Sequence, residues 1–265
     1  MTKQYSIIVV NYNTCLITKN CIQSILKNTN NLEEGELILI DNASTDGSIL
    51  EFNNFHNKNI KIISNKTNLG FSGGNNVGAK VAVGKYLFFL NSDTLLVNKD
   101  LQKNILYLEG NPQIGILAPR LLNSDKSIQD SCLHDQSILN AIKYLLGNKQ
   151  AIGKFSPAHE SKVKYVVGAA ILISRTLFIS MGGWNEKYFM YYEDLDLCDK
   201  VRSKGKQIIY KPDWQIIHLH GQSNTDSGQP SKSYKYLVDS SKKYHGLLKY
   251  VLFTLIIKIN NKIHA

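Results

Sequence analysis

Glu193 and Asp194 are adjacent carboxylates at the head of a helical pattern that runs from Asp194 to Gly205. A carboxylate beside a sugar hydroxyl can take its proton as the hydroxyl attacks an electrophilic carbon. The nearby Phe189, Tyr191 and Tyr192 would desolvate such a base and raise its basicity. Acids also suit the first turn of any helix, where they meet the positive end of the dipole. A third carboxylate, Asp93, closes the cluster Asn91-Ser92-Asp93 straight after the apolar run Tyr86–Leu90. It can hold one face of Mg²⁺ or Mn²⁺, with phosphate oxygens and waters completing the shell, or form an ordinary Asx turn. Asp41, at the end of Leu37–Ile40, can accept from a nucleobase imide or a ribose hydroxyl, or cap the turn Ser44-Thr45-Asp46. Tyr12 can lay its ring on a base, and Trp184 on a sugar face; packing of either ring is the plainer reading. His218 and His220 precede Gly221, and His218 can ligate the same metal or touch a diphosphate.

These residues need a scaffold that gathers them. Apolar runs at Ser6–Val10, Leu37–Ile40, Ile60–Ser64 and Tyr86–Leu90 alternate with helical spacing at Leu16–Leu26 and Val77–Val83. Strands separated by helices predict βαβ units and a parallel sheet, and in such sheets ligands bind beyond the carboxyl ends of the strands. The segment 68–78, rich in glycine and asparagine and including Gly70 and Asn75, reads as a loop leading into a helix, where backbone can approach a ligand. It matches neither GxGxxG after a strand nor a P-loop. A helix is expected over 99–110. Val163–Ser174 reads as a strand containing Gly168, and Ile208–Tyr210 and Ile216–Leu219 as two late short strands around Pro212. Residues 123–163 give no clear pattern beyond an amphipathic piece at Ile138–Leu146. The chain shows no internal repeat.

The chain has 265 residues, 43% hydrophobic and 9% aromatic, which excludes a disordered polypeptide. Its net charge is +10, but residues 231–265 hold seven lysines against Asp239 alone, so most of the excess lies in that tail. Arg120, Arg175 and Arg202 are the only arginines. Base readout leans on the bidentate arginine fork, so no nucleic-acid partner is expected. Cys15, Cys21, Cys132 and Cys198 show neither CxxC nor metal-ligand spacing. The apolar run near the N-terminus is too short for a signal peptide, and no stretch reaches the ~18 apolar residues of a transmembrane helix. A cytoplasmic location is expected.

Taken in order, SIIVVNYNT, LILIDNASTDGS, NLGFSGGNN, YLFFLNSD, VGAAILISR, GGWNEKYFMYYEDLDLC and IIHLHG resemble the bacterial family 2 glycosyltransferases over about residues 5–225. Within that family they look like the rhamnosyltransferase-like branch that builds cell-surface polysaccharide. The resemblance implies an α/β GT-A fold, with a mostly parallel central sheet flanked by helices. It also implies a nucleotide-sugar donor, a divalent metal (Mg²⁺ or Mn²⁺) and inversion at the anomeric carbon. It places Tyr12 and Asp41 at the nucleoside and Asp93 as the last acid of the DXD motif, with Asn91 replacing the first. Asp194 becomes the catalytic base supported by Glu193, and His218 stands near the metal and diphosphate. The branch's usual GGFDE is GGWNE here, in a loop that faces the acceptor. On this reading residues 1–230 form the transferase domain, about 1–95 binding the nucleotide-sugar and 96–230 the acceptor. The favoured donor is dTDP-rhamnose, with a UDP-sugar as the alternative, and the expected acceptor is a polyprenyl-diphosphate-linked saccharide. A non-catalytic sugar-nucleotide or polysaccharide binder is the reading from another class, and intact Asp93 and Asp194 count against it.

The apolar stretch Leu247–Ile259 is too short to span a bilayer. Flanked by lysines, it suits the interface of an anionic membrane, giving peripheral attachment at the inner face. Packing of the same helix on the domain is the alternative.

Overall fold

Side chains of successive strand residues point to opposite faces, so an apolar run without alternation demands cover on both sides. The computed structural model, which describes residues 3–219 and 230–263, meets that demand. In chain order the first half comprises β1 (Tyr5–Asn11), α1 (Cys15–Asn28), β2 (Gly35–Asp41), α2 (Ser48–Phe52), β3 (Ile60–Ser64), α3 (Gly70–Val81), β4 (Tyr86–Asn91), β5 (Thr94–Leu96), α4 (Leu101–Gly110) and β6 (Ile114–Leu122). There follow β7 (Ile128–Gln129), β8 (Cys132–Leu133), α5 (Ile138–Leu145), β9 (Lys154–Phe155), β10 (Ser161–Val163), β11 (Tyr165–Val166) and β12 (Ala170–Ser174). The chain continues through α6 (Arg175–Ser180), α7 (Glu193–Ser203), β13 (Gln207–His218), α8 (Pro230–His245) and α9 (Leu247–Ile263).

The main sheet runs β10-β13-β6-β12-β4-β1-β2-β3, with β5 beside β13 and β7 beside β6. The pairs β1–β2, β2–β3, β1–β4 and β6–β13 are parallel, whereas β12 is antiparallel to β4 and β6. Ile7, Val9, Leu37, Leu39 and Phe88 face a core shared with Cys21, Ile22 and Ile25 of α1. Ile8, Ile38, Ile40, Leu87 and Phe89 face the other core, with Ala79 of α3. Helices α1 and α3 thus cover opposite faces, and a crevice opens where the strand order turns back at β1 and β4.

The structure corrects several expectations. The glycine-rich segment is not a loop; it is the first turns of α3. A Cβ at Gly78 would lie 2.6 Å from Ile8 Cγ2, and one at Gly74 would lie 2.8 Å from Val10 Cγ1. These glycines let α3 lie directly on β1. The two late strands are one, β13, with a register break between Lys211 and Gln215 around Pro212. Val163–Ser174 is divided, with β11 and β12 on either side of Gly168. β6, flanked by β13 and β12, had no counterpart in the sequence reading. The stretch 123–163 supplies β7 to β10 and α5, and β8, β9 and β11 form a small separate sheet. His220 and Gly221 lie outside the described residues. Among the described residues, no helix is long and apolar enough to cross a membrane.

The α3 contact gives a direct test. Gly78→Val should destabilise the protein by about 1–3 kcal/mol, because the added methyls meet Ile8 in a packed core. A denaturant midpoint equal to that of the parent would contradict the close approach.

Candidate active site

A cavity of about 290 Å³ opens at the carboxyl ends of β1 and β4, near the lower end of the range for small-molecule sites. Its wall includes Tyr12, Asn42, Gly70, Phe71, Asn75, Asn91, Asp93, Gln129, Lys154, Glu193, Asp194 and His218. Residues far apart in sequence therefore meet in one space. Gly70 adopts φ 70°, and a Cβ there would lie 2.4 Å from the Phe189 carbonyl oxygen. Only glycine lets the N-terminus of α3 dock on the loop before α7, where the Phe71 N–H donates to Phe189 O at 3.0 Å. Asn75 is buried and donates from Nδ2 to Phe71 O at 3.0 Å.

One end of the cavity is rich in oxygen atoms. Asp93 Oδ1 and Asn91 Oδ1 are both buried and accept no hydrogen bond. His218 Nε2 faces Asp93 Oδ1 at 3.3 Å. Gln129 Nε2 donates to His218 O at 3.2 Å, which turns its Oε1 toward His218 Nδ1 at 2.6 Å. That bond places a proton on Nδ1 and presents Nε2 to the carboxylate, the arrangement typical of a ligating histidine. A buried carboxylate oxygen, an amide oxygen and an imidazole nitrogen are suitable donors for Mg²⁺ or Mn²⁺, with substrate phosphates supplying the rest. Among the described residues no group of three or more His, Cys, Asp and Glu could hold a metal unaided, so the fit depends on that phosphate contribution.

The other end carries the carboxylate pair. Tyr191 and Tyr192 both have positive φ, 71° and 68°, and turn the chain sharply into α7. Left-handed non-glycine residues cost about 1–3 kcal/mol each, so their neighbours must hold them. Glu193 is buried, and its Oε2 has no hydrogen-bond partner. Burial, reinforced by the charge of Asp194, pushes its carboxyl well above the ordinary range. Burial also raises Asp194, but here the charged form has support. Its Oδ1 accepts from the Leu195 N–H at 2.9 Å and its Oδ2 from the Gly168 N–H at 3.2 Å, and Lys154 adds a positive field. When one proton is shared between such neighbours, Glu193 keeps it and Asp194 ionises. Asp194 is thus the ionised member of the pair and Glu193 its protonated neighbour.

Two expected contacts are not brought to the cavity. Asp41 is 1% exposed, accepting from Asn11 Nδ2 at 2.7 Å and from the Ser44 N–H at 3.0 Å. It fixes the turn after β2, while its neighbour Asn42 reaches the wall and donates to Gly70 O at 3.0 Å. Trp184 is 2% exposed and packs against Phe71, Phe89 and Phe178, so neither ring face is open to a sugar. Its loop is pinned by Asn76, which accepts from the Trp184 N–H at 3.0 Å and donates to Trp184 O at 2.9 Å. The sequence reading passed over Gln129 and Lys154. Both lie in the stretch without a clear pattern, and neither belongs to a recognisable motif.

Residues 6–170 match the family model for glycosyl transferase family 2. The chain is 27% identical over 234 residues to the rhamnosyltransferase WbbL of Escherichia coli K12, covering 84% of this chain and 87% of that protein. It is 24% identical over 214 residues to the N-acetylglucosaminyl-diphospho-decaprenol L-rhamnosyltransferase of Mycobacterium tuberculosis, covering 71% and 67%. Among solved structures it resembles the mannosyltransferase PcManGT of Pyrobaculum calidifontis in complex with GDP-Man and Mn²⁺. That match has a TM-score of 0.63 and 14% identity, and it covers 92% of this chain and 64% of the other. At such identity the likeness concerns the fold, which is of the GT-A type.

Lys154 is the one lysine or arginine among the described residues of the cavity wall. Lys154→Ala should move the acid limb of the rate–pH profile to higher pH, because loss of the cation makes the Asp194 carboxylate harder to form. An acid limb that stays in place or moves to lower pH would contradict this.

Proposed function

The chain belongs to glycosyl transferase family 2, and we propose that it is an inverting, metal-assisted transferase moving L-rhamnose from dTDP-rhamnose to a saccharide hydroxyl. As a glycosyltransferase of polysaccharide synthesis it takes a nucleotide-sugar donor. The observation that carries the metal-assisted, inverting part of this reading is that one cavity joins the Asn91–Asp93–His218 end to the Glu193–Asp194 end, while the names of the rhamnosyltransferases it resembles support the donor.

Asn91, Asp93 and His218 would hold Mg²⁺ or Mn²⁺, and the bound ion would offset the charge gathering on the departing nucleoside diphosphate. Tyr12 and Asn42, both on the cavity wall, would line the nucleoside side. Asp41 supports them from below through the Asn11 and Ser44 turn. Asp194 takes the proton of the acceptor hydroxyl as that oxygen bonds to the anomeric carbon. The bond from that carbon to the diphosphate breaks on the opposite side, so one displacement inverts the centre. The neighbouring Glu193 keeps its own proton and leaves Asp194 as the acceptor.

The proposed acceptor is a saccharide on a polyprenyl diphosphate. The name of the mycobacterial relative, whose acceptor carries diphospho-decaprenol, supports this class. The enzyme would then work at the inner face of the cell membrane, attached peripherally through its basic tail.

Asp194→Asn should keep donor binding, seen as an unchanged thermal shift with dTDP-rhamnose and Mn²⁺, while transfer falls by roughly 10²–10⁴-fold. Turnover within about tenfold of the parent would contradict the assignment. The same thermal-shift assay with UDP-sugars tests the donor, since a larger shift with any of them would overturn dTDP-rhamnose.

A further inference from the structure

Helix α5, from the middle of the chain, and helix α9, from its end, pack along each other. Each is covered on one side only. On α9 the exposed residues Val251, Leu255 and Ile259 recur every fourth position, with Leu248 and Leu252 beside them, so they share a face. Phe253, Ile256, Ile257 and Asn260 occupy the other side, which is turned inward. On α5, Leu139 and Ile142 with the capping Leu146 make a matching stripe. Leu146 and Leu248 are 80% and 75% exposed. A protein that stays wholly in water rarely gathers so much apolar surface in one place.

Charge identifies the occupant. Lys143 and Lys149 lie in the α5 region and Lys249 and Lys258 on α9, and neither 138–150 nor 240–263 contains an acidic residue. A second copy of the chain on this face would bring lysine against lysine. An anionic bilayer satisfies both the apolar stripe and the cations.

Helix α8 packs on α9 and is fastened to the loop that precedes the carboxylate pair. Ser240 Oγ donates to Met190 O at 2.8 Å, and Lys243 Nζ to Lys187 O at 2.8 Å. The Tyr236 ring lies 4.7 Å from Phe189, and the Tyr244 ring 5.3 Å from Tyr192.

We propose that α5 and α9 together form a face that lies on an anionic lipid bilayer, with α8 strapping that face to the loop before Glu193. The docking face thus includes an internal segment and is not a property of the tail alone. The bilayer then presents a lipid-linked hydroxyl to the cavity, and this last step rests on the transferase reading above.

Co-sedimentation of the full chain with vesicles tests the face. Binding to phosphatidylglycerol vesicles should exceed binding to phosphatidylcholine vesicles and weaken with salt. Leu139→Glu with Leu146→Glu should cut binding by about tenfold or more while melting temperature holds, since both residues are exposed. A Leu146→Trp variant should show a blue-shifted emission on phosphatidylglycerol vesicles, against a parent whose Trp184 and Trp214 are both buried. Three results would each overturn the proposal: no binding by the parent, parent-like binding by the α5 double variant, or an unshifted emission from the Leu146→Trp variant. A concentration-dependent dimer abolished by the same double variant would also overturn it, by assigning the face to self-association. Vesicle binding involves no sugar transfer, so binding as expected without transferase activity would count against the transferase reading alone.

Discussion

Two carboxylates placed next to each other in a poorly solvated cavity cannot both be charged without support, and the active site is organised around that constraint. Glu193 has burial without a partner for Oε2, whereas Asp194 has two N–H donors and the field of Lys154. The asymmetry decides which of the two ionises. It also explains the cost accepted around the pair. Tyr191 and Tyr192 take left-handed conformations so that both acids enter α7 at its positive end, and α8, α3 and Gly168 hold the resulting loop.

The opposite end of the cavity obeys the complementary rule. Asn91 Oδ1 and Asp93 Oδ1 are buried oxygens that accept no hydrogen bond, and His218 is oriented by Gln129 so that Nε2 faces Asp93 Oδ1. Buried oxygens without a hydrogen bond are unfavourable, and a bound cation is one group that would satisfy them. The sheet keeps the two ends apart yet within one space. β4 delivers Asn91 and Asp93, while β12, its antiparallel neighbour, follows the Gly168 turn that donates to Asp194. The Asn91 N–H donates to Ala169 O at 2.9 Å and ties the two ends together.

Much of this was legible in the residues. The uniform apolar runs of β1, β2 and β4 announced buried parallel strands, and polar clusters at their ends marked the crevice. Glu193-Asp194 and Asn91-Ser92-Asp93 stood out as candidates for chemistry, and the fold brings both to the wall of one cavity. Other features escaped because their causes are tertiary. Glycines at 70, 74 and 78 disfavour a helix by propensity, and only their contact with β1 and Phe189 makes the helix the better state. Trp184 and Asp41 are residue types that suit ligands, but aromatic packing in one case and a turn in the other occupy them. Gln129 and Lys154 sit on short strands whose pairing comes from distant partners, and no local period reveals such strands.

The central claim is that Asp194 acts as a base in a single displacement, with the leaving diphosphate at the Asp93 end. The most direct measurement is the anomeric configuration of the product by proton NMR, compared with that of the nucleotide-sugar consumed. A product of opposite configuration is the predicted result. A product that keeps the donor's configuration cannot come from a single backside displacement and would contradict the roles given to Asp194 and Glu193.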